Sequence, residues 1–595
     1  MNYKYDESHQ SDKPFTMGYG YNRRDFLRLV GGLGVTTTFG GLLSACTSPT
    51  SEAKPPTSPT SKVQPPTNPP PKPPTALAEQ VTSSSYVPDV EFALRAVPSQ
   101  VSILSGKPTN VWTYQGEVLK GDPSALQIIE NSYLGPIIRV RKGQKVRIHF
   151  TNELPSQSII HWHGLHVPEA ADGHPRYAIG SGETYVYEFE VRNRAGSYWY
   201  HPHPHGQTGS QVYQGLAGLF LVSDDEEAAL DLPSGAYDVP LVIQDRLFDA
   251  NNQLVYLPNG MHDRMMGFLG DQILVNGQPN FTLPVASRAY RLRLLNGSNS
   301  RIYKVAWHDG TPLTVIGIDG GLLEVPVQRE YVTLAPAQRV ELWVDFSGRP
   351  VGTEMVLQSL SFDDGEMMGG MMGGAMGGSL AQGSRFSLLT ARVERAEDHP
   401  SALPPRLTTI PRLSLADTVN GKAPRRFSFA MQGMIPAING RTFEMEGVAK
   451  DEIVRLNTLE LWELANDAGG GGMMGGQGNG SGMMGRGNGR GNGMMGRGNG
   501  QGNGMMGMIM PHPVHIHELQ FQIVERQIQE EHKAAWQTVS DGHVDEGWHD
   551  VVLLMPGERV KVLLKFEDYE GLFLYHCHNL EHEDMGMMRN YRVQA

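Results

Sequence analysis

Histidine pairs of the form HxH punctuate the chain, foremost His161/His163, His201/His203, His515/His517 and His576/His578, the last split by Cys577. With 21 histidines in 595 residues, random placement would give on the order of one such pair, so the spacing has a cause. The pairs sit in strand-like sequence, with Ile159-Ile160 before the first, Tyr198-Trp199-Tyr200 before the second and Leu572-Phe573-Leu574-Tyr575 before the fourth. Side chains alternate faces along a strand, so the two imidazoles of a pair point the same way. By the same alternation Cys577 faces away from His576 and His578, and His512 lies on the opposite face from His515 and His517. Two metal-binding sets therefore stand back to back across one strand. One is all imidazole; the other gathers His512, Cys577 and, from the loop that follows, His582 and Met587. Two histidines, a thiolate and a weak methionine are the ligand set of a blue-copper electron-transfer centre, and an imidazole cluster suits copper or a similar borderline metal. Zinc is the competing occupant, but a structural zinc closes its own tetrahedron and needs no second cluster linked through the backbone.

The segments HWHG (161–164), WYHPHPHG (199–206), HPVHIH (512–517) and HCHNLEHEDMGM (576–587) closely resemble those of the multicopper oxidases, and the resemblance runs from about residue 88 to the C-terminus. It implies four copper ions: a type 1 copper on His512, Cys577, His582 and Met587, a type 2 copper on His161 and His515, and a type 3 pair on His163, His201, His203, His517, His576 and His578. It also implies the chemistry, in which a reductant gives single electrons to the type 1 copper, Cys577 passes them to the flanking histidines, and O2 is reduced to water. Asp172 and Glu583 are then expected to relay protons through bound water or to orient ligand imidazoles. No ligand position is missing, whereas members of the superfamily that have lost their coppers would show gaps. His205 falls on the ligand face but is not used by the family match. His166, His174, His308, His543 and His549 have no ligand spacing.

The elements that must hold these side chains read as all-β. Short β-branched or aromatic runs punctuated by Gly, Pro and Asn recur at 136–150, 290–298 and 452–464. Two related phrases, LAPAQRVELWVDF (334–346) and LMPGERVKVLLKF (554–566), look like one supersecondary unit repeated. The resemblance implies three cupredoxin-like Greek-key β-sandwich domains, expected at 88–228, 229–400 and 401–595. The clusters lie in the first and third, so the trinuclear site should bridge them, with the middle domain keeping them in register.

Before these domains, Asn22-Arg23-Arg24-Asp25-Phe26-Leu27-Arg28 and the apolar stretch 29–45 resemble a twin-arginine export signal. Leu43-Ser44-Ala45-Cys46 resembles a lipobox, which makes Cys46 a lipidation candidate and a membrane surface a partner; an ordinary cleavage site that discards Cys46 is the alternative. A Pro/Thr/Ser-rich tether follows to residue 87. The chain is expected outside the cytoplasm, in the periplasm or at the cell surface, and as a monomer. A formal net charge of -13 argues against nucleic acid as a partner. Cys46 and Cys577 are the only cysteines, so no disulfide is expected.

Methionine points to the reductant. Of the 28 methionines, 15 lie in a Met-rich loop (366–378) and a Met/Gly-rich insertion (469–510), where glycine content precludes ordered packing. Thioethers select Cu(I), and the insertion ends beside His512. Met-rich insertions are similar to those of bacterial cuprous oxidases, which implies Cu(I) oxidation with Met508, Met510, Asp363, Asp364 and Met367 as candidate substrate ligands. Met508 departs from the family pattern, which has Asp there. The alternatives are a laccase-like oxidase of small phenols or bilirubin-like pigments, and a copper-sequestering surface lipoprotein.

Overall fold

The computed structural model describes residues 85–365, 380–399, 402–432, 435–467 and 509–595. Cys46 with the export and tether segments, Met367, Met508 and most of both Met-rich stretches lie outside the described residues.

Among the described residues strands dominate, and they pair into six sheets that stack two by two. In the first stack, strands Thr109–Lys120, Val90–Val101, Lys145–Asn152 and Thr184–Glu190 form one sheet, and Leu126–Gln127, Ile137–Arg141, Gly218–Ser223, Gly196–Pro202 and Ile160–His163 form the other. Phe92, Ile148 and Tyr187 from one sheet and Trp162, Tyr200 and Phe220 from the other close a common core. A seven-stranded and a five-stranded sheet enclose the second core, around Leu292, Val305, Val315 and Leu342. Two five-stranded sheets enclose the third, around Trp462, Val514, Phe573 and Tyr591. The fold is all-β, built from cupredoxin-like sandwiches.

The stacks share a topology. Val90–Val101 runs parallel to Lys145–Asn152, Asp238–Arg246 to Ala289–Asn296, and Arg425–Gln432 to Thr458–Ala465. Parallel neighbours cannot be joined by a tight hairpin, so the chain crosses to the opposite sheet in between. The two related sequence phrases occupy the same place in their sheets: Arg339–Asp345 lies antiparallel to Ala289–Asn296, and Glu558–Phe566 antiparallel to Thr458–Ala465.

Outer strands show the alternation that one wet face demands, as in Lys145–Asn152 and Thr184–Glu190. Gly196–Pro202 and His512–Ile516 are instead buried at every residue, because a second stack covers their other face. Ile103, Tyr133 and Trp199 of the first stack pack with Val242, Leu274 and Leu295 of the second and Val551 of the third in one apolar cluster. The histidine-bearing strands are therefore clamped from both sides.

Candidate metal centre

Strand register sorts the histidines. His161 lies opposite His201 between neighbouring strands of the first stack. In the third, Val514 lies opposite Cys577 and His515 opposite His576. Cys577 thus shares a face with Val514 and, two residues earlier, His512, and that face is the interior of the sandwich, with Met587 in the same core. His515, His517, His576 and His578 take the other face, toward the first stack.

On that seam eight fully buried imidazoles converge. His161 Nε2 stands 3.2 Å from His515 Nε2, His163 Nδ1 3.4 Å from His201 Nε2, and His576 Nε2 3.1 Å from His517 Nε2 and 3.4 Å from His203 Nε2. The His578 ring lies 5.1 Å from that of His163 and 5.3 Å from that of His201. Rings of the two stacks thus interleave in one continuous cluster, with His161 stacked on His517 and His163 on His515 at 3.7 Å between centroids.

Outer contacts decide which nitrogen faces in. Carbonyls only accept, so Nδ1–H of His161 donates to Asp172 O (2.6 Å), that of His515 to Asp550 O (2.7 Å), that of His201 to Pro202 O (2.9 Å) and that of His576 to Cys577 O (3.2 Å). Each leaves Nε2 as a lone pair aimed inward. His163 is reversed: Asp550 Oδ1 takes its Nε2–H at 3.1 Å, so Nδ1 faces in. Burial holds His161, His163, His515, His517 and His578 well below the usual histidine range, with the neighbouring imidazoles adding to the effect. Neutral lone pairs at 3.2 Å repel, and both nitrogens of buried His578 lack a hydrogen-bond partner. Cations between the rings resolve both problems, and neutral imidazole suits copper.

The second site lies on the core face. Cys577 Sγ is 3.4 Å from His512 Nδ1 and 3.7 Å from His582 Nδ1, all buried. The short helix Leu580–Asp584 carries His582, capped by the Asn579 side chain. His582 donates Nε2–H to the Met265 carbonyl at 3.0 Å, which turns Nδ1 toward sulfur. Met587 is tied to the cysteine by Cys577 N–H donating to Met587 O at 3.0 Å. Burial pushes the Cys577 thiol up, so a thiolate here requires a bound cation. The donor set fits one copper beside Cys577 and further copper among the imidazoles.

Both expected carboxylates border the imidazole cluster. Asp172 accepts from His517 Nδ1 at 2.9 Å, and burial, then the nearby charge of Glu518, holds its carboxyl well above the usual range. Glu583 lies 3.1 Å from His576 Nδ1 and 3.6 Å from His203 Nε2. Burial raises Glu583, but these imidazoles outweigh it and keep it below the usual carboxylate range.

The sequence reading missed Asp550, which shares a close cluster with His163 and His515 and is gripped through both oxygens by buried Arg339 of the middle stack. It also missed the Met265 carbonyl. Neither belongs to a spaced motif, so only tertiary contact reveals them. Of the substrate candidates, Met510 is buried and its carbonyl accepts from Asn466 Nδ2. The Asp363 carboxylate accepts from the Gly365 N–H, and Asp364 is half-buried. Three further histidines stay outside both sites: His166 pairs with Glu518 and Asp568, His174 with Asn590, and His205 is exposed beside Phe443.

Known proteins share this arrangement. Multicopper oxidase sequence profiles match residues 110–227 and 500–595. The structure superposes on McoA multicopper oxidase from the hyperthermophile Aquifex aeolicus with a TM-score of 0.66 and 32% identity, over 86% of this chain and 97% of that one. A multicopper oxidase from Campylobacter jejuni described as a metallo-oxidase gives 0.62 and 25%, over 85% and 91%. Bilirubin oxidase of Albifimbria verrucaria is 30% identical over 467 residues, covering 77% of this chain and 71% of the relative. With these matches and the paired sites of imidazole and thiolate, the chain belongs to the multicopper oxidase family.

Proposed function

We propose that this oxidoreductase takes electrons from Cu(I), with O2 as the final acceptor, on four coppers held as the resemblance implies. His512, Cys577, His582 and Met587 would hold the type 1 ion, His161 and His515 the type 2 ion, and His163, His201, His578, His203, His517 and His576 the type 3 pair. Copper supplies one-electron exchange at the first site and the reduction of dioxygen to water at the second. The protein supplies the connection, since Cys577 is covalently bonded to both His576 and His578. It also supplies proton handling: Asp172 and Glu583 border opposite histidines of the cluster and can pass protons to bound water. The all-buried seam excludes bulk water from both sites.

The observation that carries the cuprous reading is where the two Met-rich stretches leave the sandwich. Leu554 pairs with His512, and Asn466 Nδ2 donates to both Leu554 O and Met510 O. A Cβ on Gly365, at the other root, would lie 3.0 Å from Pro556. The described ends of both stretches, Gly365 and Met510, therefore lie by the turn beside a type 1 ligand, and thioethers there would suit a soft ion. Export through a twin-arginine signal and attachment through Cys46 would put the enzyme where copper enters the cell. The bilirubin oxidase relative favours a second reading, oxidation of a small organic reductant at the same core.

Deleting 366–378 and 469–510 together separates the two. The cuprous reading expects Cu(I) turnover to fall and turnover of a bulky phenol to rise; unchanged rates for both would contradict it.

A further inference from the structure

A methionine cluster outside both Gly-rich stretches lies against the Cys577 site. Residues 261–266 read MHDRMM and form a short helix in the middle stack. In a helix, residues four apart are surface neighbours, so Met261 lies over Met265 and His262 over Met266, on adjoining faces. Met261 is 52% exposed, the His262 side chain 68% exposed, and Met265 and Met266 half-buried. Single exposed apolar residues are ordinary. Three thioethers and an imidazole on one turn and a half of helix are a soft donor set.

The helix is a fixed platform. At its start, buried Asp263 accepts from the Asn259 N–H at 2.8 Å and from Asn259 Nδ2 at 3.0 Å. At its end, Phe268 N–H donates to Glu581 Oε2 at 3.0 Å, and Gly267 sits so close to Asn579 and Ser300 that a Cβ there would clash. Between them, the Met265 carbonyl accepts from His582 Nε2 at 3.0 Å. Met265, one of the two half-buried methionines, is thus hydrogen-bonded through its own backbone to the imidazole that faces Cys577.

We propose that Met261 and Met265, joined by His262 and Met266, form a docking site for Cu(I) at the His582 edge of the type 1 centre. The site rests on the cuprous reading above and names where that substrate binds. Docked Cu(I) gives up one electron, which crosses the hydrogen bond between the Met265 carbonyl and His582; dioxygen is the terminal acceptor. The resulting Cu(II) is a harder ion that thioethers hold weakly, so product leaves as the electron does.

Silver(I), a redox-inert soft ion, tests the site in the copper-loaded full chain with methyl-labelled methionine. The expected result is that the Met261 and Met265 methyl resonances shift on silver addition. Met261→Leu, Met265→Leu and Met266→Leu combined, which keep helix propensity and approximate volume, should raise KM for Cu(I) about tenfold, the effect of losing roughly 1.4 kcal/mol of binding. In a wild type that does oxidise Cu(I), unshifted Met261 and Met265 resonances, or a KM that the combined variant leaves unchanged, would overturn the site and leave the cuprous reading standing. A wild type that binds silver here yet oxidises no Cu(I) would uphold a soft-ion site and overturn the reading of the substrate.

Discussion

Two residues, Cys577 at the end of Gly571–Cys577 and Asp550 just before Val551–Leu554, separate chemistry from scaffolding. Cys577→Ser should abolish the blue charge-transfer colour and O2 reduction, yet cost the copper-free protein only about 1–3 kcal/mol, the scale of one changed buried polar group; a variant that stays blue would contradict the type 1 assignment. Asp550→Ala should act mainly on the scaffold. It takes from buried Arg339 the nearer of two carboxylate partners, leaving Asp319 Oδ1 at 3.5 Å, which costs up to about 3–5 kcal/mol, and it frees His163 from the contact that turns Nδ1 inward. Chemical denaturation of the copper-free variant and its copper content after loading check both effects. Cys577 was legible from sequence because strand alternation converts HCH spacing into geometry. Asp550 was not: WHDVV reads as the start of a strand, and its importance comes from Arg339, 211 residues away.

At the scale of elements, the strand Arg339–Asp345 joins the middle stack to the first. Buried Glu341 accepts from Ser197 Oγ of Gly196–Pro202 at 2.6 Å and is ion-paired with Arg291 and Arg293. Burial alone would raise its carboxyl, but the two guanidiniums dominate and lower it from 4.5 to about 2. A depressed folded-state value means stability that is complete above about pH 4.5 and lost as pH falls toward about 2. Glu341→Gln should therefore be less stable at neutral pH and show a flatter acid limb over that window, read from denaturation midpoints across pH; an unchanged limb would place the acid sensitivity elsewhere. The repeated phrases pointed to matching strands, and 339–345 and 558–566 do occupy equivalent places. The parallel pairings that make the stacks sandwiches were not legible, because they join segments that share no local pattern.

Across the whole molecule, the seam is held by groups from both ends of the described chain, with His161, His163, His201 and His203 facing His515, His517, His576 and His578. Copper that binds only this assembled seam stabilises it by mass action, by about 4 kcal/mol at a thousandfold excess over the dissociation constant. Chelation should lower the unfolding temperature and restoring copper should recover it; calorimetry that shows no difference would argue against ions bridging the seam. The clusters were legible because their spacing is local. The helix Met261–Met266 was not, since nothing in MHDRMM signals that its carbonyl meets His582. Cu(I) as the reductant is tested most directly by oxygen uptake of the copper-loaded protein, supplied in parallel with weakly chelated Cu(I) and with a bulky phenol. Rapid uptake with Cu(I) and feeble uptake with the phenol are expected; rapid uptake with the phenol and little with Cu(I) would contradict a cuprous oxidase.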